Sequence, residues 1–230
     1  MTDIQFELPL FPLGVVLFPK AILPIRIFEE RYKIMLTRVL QKDRQFGVVL
    51  IKSGVEAGGP AVPCQIGTVA KVSNIAPMGR GRLAVTTVGE KPFRILRLIQ
   101  EQPYLVGLIE LLTYEAKIDA GVWEVADQVK QMFRSHLRLF SQLTGQPLPR
   151  MSLYLDAEEL SYLVGFTIQV NSGDKQDLLE TPDLLTRLNK ELDLMAKENS
   201  VLKQYIMLHE KGLDEPPPAD KPYAPRFSKN

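Results

Sequence analysis

Cysteine and histidine are almost missing from this chain of 230 residues, which has one of the first and two of the second. Cys64 alone excludes an internal disulfide and a cysteine-based zinc site, and His136 and His209 are too few for a histidine metal cluster. A surplus of one charge is missing as well. With 28 Lys and Arg against 27 Asp and Glu, no overall field draws the chain onto nucleic acid or an anionic bilayer. No apolar run approaches the roughly 18 residues of a membrane span. The opening residues carry Asp3 and Glu7 where a signal peptide needs bases, and Pro9 and Pro12 break the apolar segment that follows. These absences point to a cytoplasmic protein with no membrane partner. What is present is ordinary: 45% hydrophobic and 24% charged residues, enough to build a core without staples.

Familiar catalytic patterns are absent too. A phosphate-holding P-loop ends in Gly-Lys-Ser/Thr, and the chain has no Gly-Lys pair. A Gly-x-Ser-x-Gly elbow does not occur. His209-Glu210 runs on into Lys211-Gly212-Leu213, so it is not a two-histidine zinc helix. His136 falls on the apolar stripe of a predicted helix and reads as a packed core histidine rather than a general base. Cys64 follows Pro63 at a strand entrance, with nothing to activate it. The expectation is no catalytic residue, no metal and no cofactor. One short segment has the makings of an anion grip: Met78, Arg80 and Arg82 alternate with Gly79 and Gly81. The plainer reading of that segment is a β-hairpin turn with a solvated tip. Gly58-Gly59 reads as another turn.

The residue pattern divides the chain in three. Residues 1–115 are β-rich. Short β-branched runs at 46–51, 67–72, 83–88, 93–98 and 104–109 are punctuated by Gly or Pro, and one amphipathic helix spans Glu29 to Gln41. Close spacing of the strands favours an antiparallel barrel or sandwich. Residues 116–212 are helical. Val122, Val125, Val129, Met132, His136, Phe140 and Leu143 mark a helix of about six turns, which Gly145 ends. Asp156 with Glu159 forms a capping box for a second helix, and Thr181-Pro182 signals the start of a third, running to about His209 or Lys211. Residues 213–230 hold Pro216, Pro217, Pro218, Pro222 and Pro225 and read as a disordered tail. The fold class is therefore α+β, a β barrel with one helix followed by a helical bundle that ends in a long helix.

Several stretches, taken in order, resemble the Lon N-terminal (substrate-binding) domain family. Leu8-Pro9-Leu10-Phe11-Pro12-Leu13, Leu17-Phe18-Pro19 and Leu23-Pro24-Ile25-Arg26-Ile27-Phe28-Glu29-Glu30-Arg31-Tyr32 are similar to its start. Phe46-Gly47-Val48-Val49, Ile66-Gly67-Thr68-Val69-Ala70, Phe93-Arg94-Ile95 and Pro103-Tyr104-Leu105 resemble its later strands. Lys175 to Glu180 with Arg187-Leu188 is similar to its closing segment. Where many relatives have an Asp-Gly-Arg turn, this chain has Gly79-Arg80-Gly81-Arg82. The resemblance implies a PUA-like barrel followed by helices, used to recognise protein substrates and to assemble. It does not imply proteolysis, because neither an ATPase nor a Ser-Lys peptidase module fits after residue 212. A peptidase name would belong to the full-length relatives.

Pro9, Pro12, Pro19 and Pro24 lack backbone donors, so their segments suit strand edges and crossings but not central ladder positions. Glu29, Arg31 and Tyr32 sit where they can tie the first helix to the barrel. The leading expectation is a non-catalytic module that binds unfolded or exposed hydrophobic protein segments, either alone or as adaptor to a separate ATPase or protease. The alternative is a PUA-like RNA-binding protein using Arg80, Arg82, Arg94 and Arg97, an expectation the neutral overall charge does not support. On the last helix, Leu185, Leu188, Leu192, Met195, Asn199 and Leu202, continued by Ile206 and His209, form an a/d seam. The seam serves either to cover the bundle core or to associate with a second copy.

Overall fold

Alternation of buried and exposed side chains shapes the strands of the first half. The computed structural model describes residues 5–56, 58–114, 120–145, 147 and 155–210. They form two compact units, Met1–Glu115 and Ala116–Asn230. The first holds β1 (Gln5–Leu13), β2 (Ile22–Ile27), α1 (Glu30–Leu40), β3 (Gln45–Gly54), β4 (Ala61–Pro77), β5 (Leu83–Gln100) and β6 (Leu105–Leu111). Neighbours run β5-β4-β3-β1-β6, and β6 pairs back onto β5, so five strands close a ring; β2 attaches outside it, to β5.

The expected antiparallel arrangement needs one correction. β1 and β3 run parallel, with Leu10 opposite Gly47 and Leu13 opposite Leu50. A parallel pair needs a long crossover, and here β2 and α1 supply it. The runs 83–88 and 93–98, expected as separate strands, are one strand, β5. Its first part pairs with β2 and its second with β6, and Gly89 stands at the changeover. Similarly, 67–72 is the middle of a longer β4.

The prolines explain themselves through one-sided pairing. β1 pairs with β6 through residues 5–10 and with β3 through residues 10–13. Pro9 and Pro12 therefore each have a ladder neighbour on one side only. Pro24 lies on β2, an edge strand. Inside the ring, Leu8, Leu10, Val49, Val69, Phe93, Ile95 and Ile109 form one core cluster. A second cluster joins the barrel to α1 through Phe11, Tyr32, Met35, Leu36, Val39 and Phe46. Each fully buried Phe or Leu contributes about 1.5–3 kcal/mol of burial free energy.

The second unit holds α2 (Ala120–Thr144), α3 (Ala157–Thr167), α4 (Ser172–Glu180) and α5 (Leu184–Glu210). Asp156 caps α3 where the sequence indicates, accepting from the Glu159 amide at 2.8 Å. The start of α5 differs from expectation. Asp183 is its cap, accepting from the Thr186 amide at 2.8 Å, so Thr181 and Pro182 lie before the helix. Helix α4 has no predicted counterpart, because Ser172–Glu180 holds too few apolar residues to show a period. Asn171 caps it instead, accepting from the Asp174 amide at 2.9 Å. Among the described residues no helix is long and apolar enough to cross a membrane. Residues 213–230, expected as a tail, lie outside the described residues.

Candidate functional site

Residues from β1, β2, the start of α1 and the β3–β4 loop build a groove on the barrel unit. Phe11, Leu13 and Val15 line it from β1 and the loop behind it, and residues Leu23 to Ile27 line it from β2. Phe28, Glu29 and Tyr32 close one part of the wall, and Glu56 comes from the β3–β4 loop. The groove encloses about 350 Å³. Its floor is fixed by stacking: the Phe11 and Tyr32 rings lie 4.0 Å apart at 19°. Burial pushes the Tyr32 hydroxyl above its ordinary pKa, with Arg31 opposing the shift. Ile22 and Phe28 are more than half exposed, at 59% and 54%.

Polar groups hold the rim in place. Glu29 accepts from Arg31 Nε at 3.0 Å and from the Gly58 amide at 3.3 Å. Arg31 Nη1 donates to the Gly59 carbonyl at 3.2 Å and its guanidinium lies 4.6 Å from the Tyr32 ring centre. Glu56 accepts from the Gly14 amide at 3.1 Å. Thus Glu29, Arg31 and Tyr32 do tie α1 to the barrel, and they also shape the groove. Val15 and Glu56 carried no signal in the sequence. Their place depends on where the β3–β4 loop lands.

The segment from Met78 to Arg82 is the β4–β5 turn. The Met78 amide donates to the Arg82 carbonyl at 2.9 Å, and the Arg82 amide donates to the Gly79 carbonyl at 3.1 Å. Gly79, Arg80 and Gly81 all have positive φ, which explains the two glycines. All five residues are exposed. Arg80 and Arg82 lie in the turn before β5 and Arg94 and Arg97 in its second half, so the four arginines do not gather into one strip. Cys64 is half-buried on β4.

On α5 the seam residues Leu188, Met195, Asn199 and Leu202 are buried within the helical unit, while Leu185, Leu192 and Ile206 are half-buried and His209 is exposed. Sequence reasoning missed that Arg187, Glu191 and Glu198 share the buried face. Arg187 Nε donates to Ser161 Oγ at 2.7 Å, and Ser161 Oγ donates to Glu191. Glu198 accepts from the Gln169 amide at 2.9 Å and lies 3.9 Å from His136 Nδ1. His136, 1% exposed, is held by Asn199 Oδ1 at 2.9 Å. Lys175 Nζ donates to the Phe166 carbonyl at 2.7 Å.

Burial pushes the Glu191 carboxyl up to about 8 against the pull of Ser161 and Arg187. It raises Glu198 in the same way, and it lowers Lys175 to about 8. The consequences for stability follow from proton binding. Glu191 holds its proton when folded but releases it near 4.5 when unfolded, so stability is lost as pH rises from 4.5 to about 8. Lys175 sheds its proton early when folded, so stability returns between about 8 and 10.5. Urea unfolding of the helical signal is therefore expected to be easiest near pH 8. Glu191→Gln should make the acid limb shallower, leaving the part that Glu198 contributes, and Lys175→Met should flatten the alkaline limb. A profile that rises or falls throughout would contradict this.

Known proteins share this architecture and sequence. The family model of the ATP-dependent protease La (LON) substrate-binding domain matches residues 7–197. A Lon protease of Anaeromyxobacter dehalogenans is 28% identical over 87% of this chain, and Lon protease 2 of Myxococcus xanthus is 27% identical over 87%. The chain spans about a quarter of the length of these curated relatives, 24% and 25%. Among solved structures, a Lon N-terminal domain protein from Xanthomonas campestris has the same fold with a TM-score of 0.61 at 24% identity, over 82% of this chain and 98% of that one. The N-terminal domain of Mycobacterium avium complex Lon protease aligns with a TM-score of 0.64 at 17% identity, over 83% and 98%. With the family model matched across both units, the chain belongs to the LON substrate-binding domain family.

Proposed function

We propose that this chain is a non-catalytic recognition module that captures unfolded or exposed hydrophobic segments of other proteins, working as an adaptor to a separate ATPase or protease. The observation that supports it is the groove between β1 and β2, apolar in its floor and flanked by exposed Ile22 and Phe28. Its volume, about 350 Å³, is at the small end of ligand pockets and admits a few apolar side chains rather than a folded surface. Family membership gives the same direction, since the matched model is a substrate-binding domain. In this reading the barrel unit recognises the ligand and the buried face of α5 holds the helical unit together.

Immobilised protein should retain a chemically unfolded model protein and not its folded form. Phe28→Asp, at a site already 54% exposed, should leave the fold intact and lower retention about tenfold, because it puts a charge on apolar contact surface. Equal, negligible retention of folded and unfolded forms would overturn the proposal.

A further inference from the structure

Five consecutive residues of β2, Leu23 to Ile27, line the groove. Successive side chains of a strand point to opposite faces, so a groove lined by every one of them runs along the strand's edge. That edge is open. Among the described residues β2 pairs with β5 alone, and Phe11–Leu13 across the groove pair with β3 alone.

Two side-chain hydrogen bonds fix which backbone groups face the opening. The Thr86 carbonyl accepts from Ser73 Oγ at 3.0 Å, so it points toward β4, away from β2. Thr86 is the register partner of Pro24, which makes this a pair without mutual hydrogen bonds. The Leu23 carbonyl, by contrast, accepts from Thr87 Oγ1 at 3.0 Å and points toward β5. The backbone groups of Ile22, Pro24 and Arg26 therefore face the groove, offering the amides of Ile22 and Arg26 and three carbonyls. Pro24 withholds the middle donor, a device that keeps an edge from pairing indiscriminately. The charge at this edge is Arg26. No carboxylate among the described residues pairs with it, whereas Glu29 is engaged by Arg31.

Resting on the reading of the groove as a protein-recognition site, we infer that the ligand binds as an added strand: an extended segment of another polypeptide lies along β2, with apolar side chains in the groove and an acidic residue on its outer face beside Arg26. Main-chain bonds then supply affinity and alternate side chains supply selection.

The test is a fluorescence-anisotropy titration of the full chain with the labelled peptide Val-Thr-Val-Glu-Val-Thr-Val. Two isomers carry three backbone N-methyl groups each, one on the last three valines and the other on the two threonines and the glutamate. An added strand offers alternate amides to β2, so one isomer should lose about tenfold or more in affinity and the other little. Pro24→Val restores a donor and should tighten binding about threefold to tenfold. Equal affinity of the two isomers, or no gain with Pro24→Val, overturns strand addition and leaves protein recognition standing. Absence of peptide binding while unfolded protein is retained overturns it as well. If neither peptide nor unfolded protein is held, both readings fall.

Discussion

Arg187→Ala is expected to destabilise the helical unit by about 3–5 kcal/mol, the range for emptying the site of a large buried side chain together with the loss of its hydrogen bonds. Arg187 is only 1% exposed. Its guanidinium lies 4.6 Å from the Tyr162 ring centre, donates to Ser161 Oγ at 2.7 Å and reaches the Thr181 carbonyl at 3.1 Å. The side chain thus ties α5 to α3 and to the segment between α4 and α5. Alanine removes the packing and leaves Ser161 Oγ and the Thr181 carbonyl short of a donor. Domains are stable by about 5–15 kcal/mol in total, so the loss leaves the unit marginal. The control is Arg187→Met with Glu191→Leu, which fills the space without charge and should recover most of the loss. Denaturant unfolding followed by helical circular dichroism measures both. A single variant within about 1 kcal/mol of the parent would show that the cluster carries little of the fold.

This cluster also shows where the sequence stopped being readable. Leu188, Met195 and Leu202 stand on the buried side of α5, and their apolar spacing marked them. Arg187, Glu191 and Glu198 stand on the same side at spacings of four and seven. Charged residues at such positions ordinarily belong to a solvated face. Partners such as Ser161 on α3 and the Gln169 amide between α3 and α4 make their burial tolerable, and those contacts lie 26 residues apart for Arg187–Ser161 and 29 for Glu198–Gln169. Helix α4 was hidden for the opposite reason, because it has so little apolar content that nothing repeats.

In the barrel β3 to β6 were legible from β-branched runs and the first helix from its stripe, whereas β1 and β2 were read only as proline-bearing segments suited to strand edges. The groove was not. Phe11, Ile25 and Tyr32 stood out through the family resemblance, yet a free edge beside them depends on pairing. β2 finds β5 some sixty residues later, Ile22 opposite Val88 and Ile27 opposite Leu83, and β1 changes neighbours at Leu10. No local pattern encodes either fact. The parallel β1–β3 pair escaped for the same reason, since single-strand periodicity does not carry direction.

Gly89→Ala tests whether the changeover on β5 governs both the barrel and the groove. Gly89 follows the part of β5 paired with β2 and precedes the part paired with β6. Its carbonyl accepts from the Lys20 amide at 2.7 Å and its amide donates to the Ala21 carbonyl at 2.9 Å, which fastens the approach to β2. A β-carbon at this position would overlap the Phe18 carbonyl oxygen, a backbone atom that cannot rotate away. Phe18 is fully buried, so its segment has no room to retreat. Relief requires the 18–21 segment to move and the two hydrogen bonds to stretch or break. Overpacking of this kind costs about 1–3 kcal/mol and each lost bond about 0.5–1.5, so a loss of about 2–5 kcal/mol is expected. Gly58→Ala is the comparison: its φ is +77° but nothing lies within 4 Å of the added carbon, so only the conformational cost of about 1–2 kcal/mol applies. Since β2 begins at Ile22, directly after the displaced segment, Gly89→Ala should also weaken retention of unfolded protein under conditions where the variant is still folded. Gly58→Ala, whose amide meets the groove only through its bond to Glu29 at the rim, should lower stability with a smaller loss of retention than Gly89→Ala. Thermal unfolding and the retention assay on the same preparations separate the two effects, and a Gly89→Ala variant as stable and as retentive as the parent would remove Gly89 from both roles.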